Sequence, residues 1–168
     1  GDHDITGQFP DIVDAATALP SQLILDGEIL AGSPDQLLSF SDLQTRLNRK
    51  RITHNLLKTH PVFFRAYDVL RRDGEDIREK PLIYRKEILA TLAVTQSPVS
   101  FPNTPEQIAA MRESAREVSA EGVIIKRRES PYVSGRRVGH WWKWKLDPMT
   151  ADCVLIYAQA GHGRRASL

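Results

Sequence analysis

The chain has 168 residues, of which 41% are hydrophobic and 26% charged, an ordinary globular composition that indicates one folded domain with room for a short part of a second. The net charge of +2 is weak evidence for a nucleic-acid partner, although basic residues cluster locally, as in "RLNRKR" at 46–51. One cysteine excludes an internal disulfide and no apolar stretch reaches the roughly 20 residues of a membrane helix, so we expect a cytoplasmic protein without membrane association.

The first half of the chain predicts two strands and two short helices after a loop-like opening, "GDHDITGQFP". The apolar run "QLILDGEIL" at 22–30 predicts a strand. The segment "SFSDLQTRLNRK" at 39–50 predicts a basic helix that begins after a serine N-cap, and a second helix is expected from Thr53. The run "PVFFRAYDVL" at 61–70 is typical of a central strand, and the following Asp-Gly pair in "RRDGEDI" predicts a turn.

The second half predicts two helices and three further strands. The apolar spacing of "YRKEILATLAV" at 84–94 indicates a helix that packs one face on a sheet. In "NTPEQIAAMRESAREV" at 103–118, Thr104 suits the N-cap and Gln107 completes a capping box. Strands are expected in "EGVIIKR" (121–127), "WWKWK" (141–145) and "TADCVLIYAQA" (150–160). Interleaved helices and strands with mixed loop lengths indicate an α+β domain with antiparallel sheets.

Three acidic residues stand inside predicted strands, where acids are depleted: Glu28, Asp68 and Glu121. One interpretation is that strand alternation turns each carboxylate outward to water. The glycine beside Glu28 and beside Glu121 favours a second interpretation, because glycine next to an acidic strand residue often marks the close approach of a ligand or of another backbone.

The run "HWWKWKLD" at 140–147 alternates lysines with tryptophans at the period of a strand. Lys143 and Lys145 therefore share one face of the strand, and Trp142 and Trp144 share the other, where we expect the indoles to pack the strand against the domain. An ammonium group is costly to bury without a negative partner, so the pattern predicts that the lysines face an anionic group.

Lys126 and Arg137 precede the lysine pair, so one side of the domain would offer several cations together with two acids. Lys126 follows Glu121 by five residues, which places the two on opposite faces unless a twist or bulge intervenes. Cations for phosphate oxygens and carboxylates for Mg²⁺ suit a nucleoside triphosphate, and Tyr67 or a neighbouring Phe could stack on its base. The sequence has no Walker A, G-x-G-x-x-G or H-E-x-x-H motif.

The runs "LDGEIL", "FFRAYDVL", "EGVIIKR" and "WWKWK", in this order, resemble motifs of ATP-dependent DNA ligases, particularly bacterial ones. The resemblance covers nearly the whole chain and includes "ESPYVSGRR" and "VLIYAQAGHGRRASL". It implies a nucleotidyltransferase fold (the ATP-grasp-like ligase adenylation fold) of antiparallel sheets flanked by helices. Residues 1–147 would form a partial adenylation domain without its N-terminal part, and residues 148–168 would begin an oligonucleotide-binding (OB-fold) domain.

The resemblance also implies a function, that of an ATP- and Mg²⁺-dependent DNA ligase (ATP) that seals nicks during repair, replication or recombination. A lysine would attack the α-phosphate of ATP to give lysyl-AMP. The AMP would pass to the 5′-phosphate of a nick in double-stranded DNA, and the 3′-hydroxyl would displace it. A monomer is expected.

Residue roles follow motif by motif from the same resemblance. Glu28 would hold the ribose hydroxyls and help with metal, and Tyr67 would stack on adenine where the family usually has Phe. Lys126 would lie near the nucleotide, and Arg137 would contact phosphate. Asp68 would support its strand.

The catalytic group implied by the resemblance is Glu121, Lys143 and Lys145. Glu121 would organise Mg²⁺, and the two lysines would neutralise charge on the phosphates of ATP. The nucleophilic Lys-x-Asp-Gly motif is absent from this sequence, since "RRDG" at 71–74 has arginine at the lysine position and arginine stays protonated. We therefore expect the motif upstream of this segment and no self-adenylation by the segment alone.

Other functions remain open at this point. An RNA ligase or an mRNA capping enzyme would use related motifs. A catalytically inactive nucleotide- or DNA-binding fragment would bind weakly and in a salt-dependent way. A plain scaffold protein would leave the four ordered motifs unexplained.

Overall fold

The computed structural model describes residues 3–47, 49, 51–118, 120–135, 138–148, 150, 152, 154, 156 and 157. The helices are α1 (Pro10–Ala16), α2 (Phe40–Arg46), α3 (His54–Thr59), α4 (Leu82–Ala90) and α5 (Pro105–Ser114), with a 3₁₀ turn at Thr6–Gln8. The strands are β1 (Ile24–Ser33), β2 (Gln36–Leu37), β3 (Val62–Arg72), β4 (Glu75–Asp76), β5 (Gly122–Lys126) and β6 (Trp141–Lys145). No helix in these ranges is long and apolar enough to cross a membrane.

The predicted helix starts are confirmed by their caps. The hydroxyl of Ser39 caps α2 in a reciprocal capping box with Asp42, and the Thr53 side chain caps α3. Thr104 caps α5 as predicted, but the capping box is wrong in one detail, because the Gln107 carboxamide accepts from the Asn103 N–H at 2.7 Å instead of reaching the cap residue.

The predicted and observed elements also differ in places where the element is too short to leave a clear sequence pattern. The opening segment is not wholly a loop, since it contains the 3₁₀ turn and leads into α1 at Pro10. The two-residue strands β2 and β4 are too short to show alternation, and each pairs with the end of a longer strand that precedes it. The strand predicted at 150–160 falls mostly outside the described residues and stays a prediction.

The larger sheet is antiparallel with the strand order β2-β1-β3-β4, so β3 is central as predicted. The β3–β4 hairpin closes through Asp73 and Gly74, whose φ angles of 50° and 84° are those of a type I′ turn, the turn that Asp-Gly pairs favour. In the β1–β3 ladder the register steps from Asp26 opposite Asp68 to Gly27 opposite Ala66, which leaves Tyr67 as the extra residue of a bulge.

The core lies between β3 and α4, which confirms the predicted packing of this helix on the sheet. The buried apolar cluster comprises Ala66, Val69, Ile77, Leu89 and Leu92. From α4, Leu89 belongs to this cluster and Ile88 packs against it. Leu82 and Arg85, which precede Leu89 at helical spacing, are buried as well.

The smaller sheet is the antiparallel pair β5–β6, and the segment after β5 attaches it to α4. The backbone N–H groups of Leu82 and Ile83 donate to the carbonyls of Ser130 and Arg128 at 2.9 and 3.1 Å. These bonds use donors at the start of α4 that have no partner within the helix. The segment after β5 is thereby attached to the N-terminal end of α4, which packs on the larger sheet.

Candidate functional site

Lys143 and Lys145 meet at one carboxylate on the face of the β5–β6 sheet. The Nζ atoms of both lysines lie 3.2 Å from Oε2 of Glu121. Hydrogen bonds from Lys143 and then from Lys145 hold the pKa of the Glu121 carboxyl below its ordinary value. The alternation in "WWKWK" thus does place the lysines together against an anionic group, which in this structure is Glu121.

Gly122 explains how Glu121 reaches that face. The register pairs Gly122 with Lys145 and Ile124 with Lys143, so regular alternation would turn Glu121 to the opposite side. Gly122 breaks the alternation with a φ of +142°, a conformation that residues with a side chain rarely adopt. A Cβ atom at this position would lie 2.2 Å from the Trp144 carbonyl oxygen and 2.7 Å from Lys145 Cα.

Replacing Gly122 by alanine should therefore lower the free energy of unfolding by about 1–3 kcal/mol, the usual cost of a residue held in a strained backbone conformation. Urea unfolding followed by tryptophan fluorescence measures the change, since β6 carries three indoles. Gly7→Ala is the matched control, because nothing lies within 4 Å of a Cβ built there. Equal stability of the two variants would contradict the strain argument.

Lys126, the last residue of β5, pairs with Trp141, and Trp141 lies two positions before Lys143 on β6. Lys126 and Lys143 therefore share one face of the sheet. Its Nζ lies 3.9 Å from the centroid of the Trp141 ring, a cation–π geometry. Burial lowers the pKa of Lys126, and the negative charge of Asp68 opposes that shift most strongly. Lys126 therefore extends the row of cations from Lys145 toward the acids of the larger sheet.

The expectation that Trp142 and Trp144 pack the strand against the domain is wrong. Trp142 and Trp144 keep 44% and 41% of their surface exposed. Trp141 is the indole that packs, edge-on to Tyr132 at a centroid distance of 5.4 Å and with its Nε1 donating to Ser130 Oγ at 3.2 Å.

Glu28 and Tyr67 lie together on the larger sheet. Burial and, next, a hydrogen bond with the Glu28 carboxylate raise the pKa of the Tyr67 hydroxyl above its ordinary value. Glu28 pairs with Arg65, and Tyr67 lies two positions further along β3, so alternation directs the Glu28 and Tyr67 side chains to one face of the sheet. The two residues predicted to bind one ligand are thus neighbours in the fold, although they lie 39 positions apart in the sequence.

Asp68 supports its strand through a fully buried ion pair with Arg85 of α4. Nε and Nη2 of Arg85 lie 2.9 and 3.0 Å from the two carboxylate oxygens of Asp68. The remaining nitrogen of Arg85 donates to the carbonyls of Ser130, Arg78 and Lys80. The pair therefore joins the strand that carries Tyr67 to the segment after β5, in which Ser130 accepts the indole N–H of Trp141.

The site residues thus form two groups, Glu121 with Lys143 and Lys145 on the smaller sheet and Glu28 with Tyr67 on the larger, with Lys126 between them. Arg137 lies outside the described residues, so its predicted role stays a prediction. The described part of the chain contains no group of three or more His, Cys, Asp or Glu side chains that could hold a metal ion by itself.

Comparison with known proteins identifies the family of the chain. The family described as "ATP dependent DNA ligase domain" matches residues 2–145. The chain belongs to this family of ATP-dependent DNA ligases.

Its relatives in this family include a probable DNA ligase of Koribacter versatilis, 31% identical over 98% of the chain and 34% of that protein. A DNA ligase of Haloferax volcanii is 34% identical over 98% of the chain and 29% of that protein. The chain thus spans about a third of the length of these relatives. Both are DNA ligases, so the alternatives of an RNA ligase or a capping enzyme are not favoured.

Two solved structures share the fold. The ligase domain of M. tuberculosis LigD is 30% identical with a TM-score of 0.64, over 85% of this chain and 44% of that chain. A mycobacterial DNA ligase D complexed with ATP and MES is 28% identical with the same TM-score and coverage. The α+β ligase nucleotidyltransferase fold predicted from the sequence is confirmed. The predicted start of an OB-fold domain at 148–168 falls largely outside the described residues, and the division at 147 stays a prediction.

Sequence reasoning missed two arginines that support the strands of the candidate site. Arg85 carried a usable signal, because it falls on the buried face of α4 between Leu82 and Leu89. Arg112 carried no local signal, since its contacts with Lys145 and Asp147 join positions more than 30 residues apart in the sequence.

Proposed function

We propose that this chain is the ATP-binding part of a DNA ligase that seals nicks through enzyme-AMP and DNA-adenylate intermediates. The observation that carries the proposal is the convergence of Lys143 and Lys145 on one exposed carboxylate, in a chain of the ATP-dependent ligase family. Two exposed ammonium groups a few ångströms apart form an electrostatic site for a polyphosphate. The ATP complex of the related mycobacterial ligase D supports the same ligand.

The two groups of residues suit the two ends of ATP. Tyr67 offers an aromatic face for adenine, and Glu28 offers carboxylate oxygens for the ribose hydroxyls. Lys143 and Lys145 take the phosphates, with Lys126 between the two ends. Arg137 would contact phosphate as well.

Glu121 has a second task in this proposal. Its side chain is 72% exposed and its carboxylate stays ionised, so it can exchange the lysines for a hydrated cation. Mg²⁺ usually binds through one or two carboxylates plus substrate phosphates, which fits Glu121 with help from Glu28 and needs no larger acidic cluster. The ion would supply further positive charge at the phosphates.

In the first chemical step, a lysine nitrogen forms a bond to the α-phosphorus of ATP while the bond to the bridging oxygen breaks and pyrophosphate leaves. Negative charge grows on the phosphate oxygens during this exchange. Lys143 and Lys145 oppose that charge from fixed positions, where one well-placed donor can contribute ~3 kcal/mol. The attacking lysine belongs to a Lys-x-Asp-Gly motif that this sequence does not contain.

The later steps use DNA, with AMP passing to the 5′-phosphate of a nick in double-stranded DNA and leaving when the 3′-hydroxyl attacks. We assign the parent enzyme to DNA repair, replication or recombination in the cytoplasm, acting as a monomer.

Titration calorimetry of the chain with ATP and with adenosine tests the nucleotide part of this function. We expect ATP to bind about 100-fold more tightly, equivalent to ~2.8 kcal/mol or about tenfold for each lysine, because only ATP reaches the lysine pair. The preference should shrink as salt rises, since the lysines are exposed. Equal affinity for the two ligands at low salt would refute the proposal.

Incubation with labelled ATP and Mg²⁺ provides a second readout on the same protein. No covalent AMP should appear on this chain, because it has no Lys-x-Asp-Gly motif. Robust labelling would show that another lysine of the chain can act as the nucleophile.

A further inference from the structure

Arg112 of α5 uses every nitrogen of its guanidinium group near the end of β6. Its Nε donates to the Lys145 carbonyl oxygen at 2.7 Å, and its Nη2 lies 2.9 Å from Oδ1 of Asp147. Its Nη1 bonds Glu113 at 2.7 Å, and the guanidinium lies 5.2 Å from the centroid of the Trp144 ring. Only 11% of the Arg112 side chain is exposed, so these contacts belong to the packed interior and not to a mobile surface side chain.

The end of β6 has few other supports. In the described part of the chain, β6 pairs only with β5, and Lys145 stands opposite Gly122, which offers no side chain for packing. The Lys145 side chain is itself 62% exposed. Apart from the contact of its Nζ with Glu121, the direction of the Lys145 side chain depends on the backbone. That backbone is held by the Leu146 N–H bond to the Glu121 carbonyl at 2.8 Å and by Arg112.

We propose that Arg112 is a positioning residue that fixes the end of β6 so that Lys145 faces the phosphates of a bound nucleotide. This inference rests on the function proposed above and adds a residue from outside the four sequence motifs. Arg112 touches no ligand in this account and acts only through the backbone of Lys145 and the carboxylate of Asp147.

The geometry requires arginine. The planar guanidinium places Nε and Nη2 on one edge, so it can hold a backbone carbonyl and a carboxylate at the same time. The ammonium of a lysine is a single compact group and cannot keep both contacts at 2.7 and 2.9 Å together with the ring contact. The bond to Asp147 is the largest cause that raises the pKa of Arg112, which keeps it charged throughout the usual pH range.

The test compares ATP, tripolyphosphate and adenosine by titration calorimetry on the chain and its variants. Arg112→Met and Arg112→Lys should each weaken ATP and tripolyphosphate binding about five- to tenfold, because a displaced Lys145 loses a charge-assisted contact. Adenosine binding should change less than twofold, since Glu28 and Tyr67 lie on the other sheet. Arg116→Met is the matched control. The Arg116 side chain, four positions after Arg112, donates to the Asp147 carbonyl oxygen and makes no hydrogen bond to Lys145 in the described part of the chain.

Arg112→Lys keeps the charge and decides the question if Arg112→Met does not fold. Unchanged tripolyphosphate affinity in both variants would overturn the inference, and so would an equal loss for adenosine, which indicates general damage. If the unaltered chain binds ATP no better than adenosine, the proposed function itself fails, a result distinct from either of these.

Discussion

Replacing Arg85 by methionine should lower the free energy of unfolding by about 3–5 kcal/mol, the cost of leaving a buried charge without its partner. Arg85 and Asp68 are both 0% exposed, and their bidentate contact spans 2.9 and 3.0 Å. Methionine keeps much of the length of the side chain but leaves the Asp68 carboxylate alone in the core. The carbonyl oxygen of Ser130 loses a donor as well.

Chemical denaturation of the variants measures this cost. Arg78→Met is the control, because the ion pair of Arg78 with Asp76 is exposed and its loss should change stability far less. The double variant Asp68→Leu with Arg85→Met should recover most of the stability, since it removes the isolated charge. If the double variant were as unstable as Arg85→Met alone, the penalty would come from packing or from the lost carbonyl bonds and not from the unpaired charge.

Replacing both Lys143 and Lys145 by methionine should abolish most of the preference of the chain for ATP over adenosine, with ATP affinity falling about 100-fold. Each lysine is expected to contribute about tenfold through a charge-assisted contact to phosphate, equivalent to ~1.4 kcal/mol. The side chains are 52% and 62% exposed, so the fold does not depend on them. Adenosine affinity should stay within about twofold because adenosine carries no phosphate.

Calorimetry at low and moderate salt measures the effect, and Lys58→Met with Lys80→Met is the matched control. This second pair removes the same two charges from exposed positions away from β6. A similar fall in ATP affinity for both double variants would mean that net charge attracts the nucleotide, and the assignment of the phosphates to Lys143 and Lys145 would then be wrong.

The helices and strands followed from local features of the sequence. Hydroxyl caps at Ser39, Thr53 and Thr104 marked three helix starts because a side-chain oxygen satisfies an N–H that has no partner in the helix. The alternation of 141–145 predicted the lysine face of β6 because the side-chain period of a strand is two. These features act over a few residues, so they can be recognised before the chain folds.

Strict periodicity failed where the backbone departs from regular geometry. Five positions separate Glu121 from Lys126, which predicted opposite faces, yet Gly122 with a φ of +142° turns Glu121 toward the lysines. Gly122 is evident in the sequence, but the sequence alone does not show that it turns Glu121 to the face of the lysines. The direction of the turn depends on the β5–β6 register, which is a contact between strands.

The sequence by itself therefore predicted the longer helices and strands and the family, and it named the residues that are proposed for the nucleotide. Only the tertiary structure decided that Lys143 and Lys145 share Glu121, that Tyr67 meets Glu28, and that buried or anchored arginines hold the surrounding framework. Arg85 reaches Asp68 across 17 positions and Arg112 reaches the end of β6 across 33. Desolvation explains these pairs, because a charged group removed from water is stable only when an opposite charge or a carbonyl oxygen lies next to it. Which group lies there depends on how the whole chain packs.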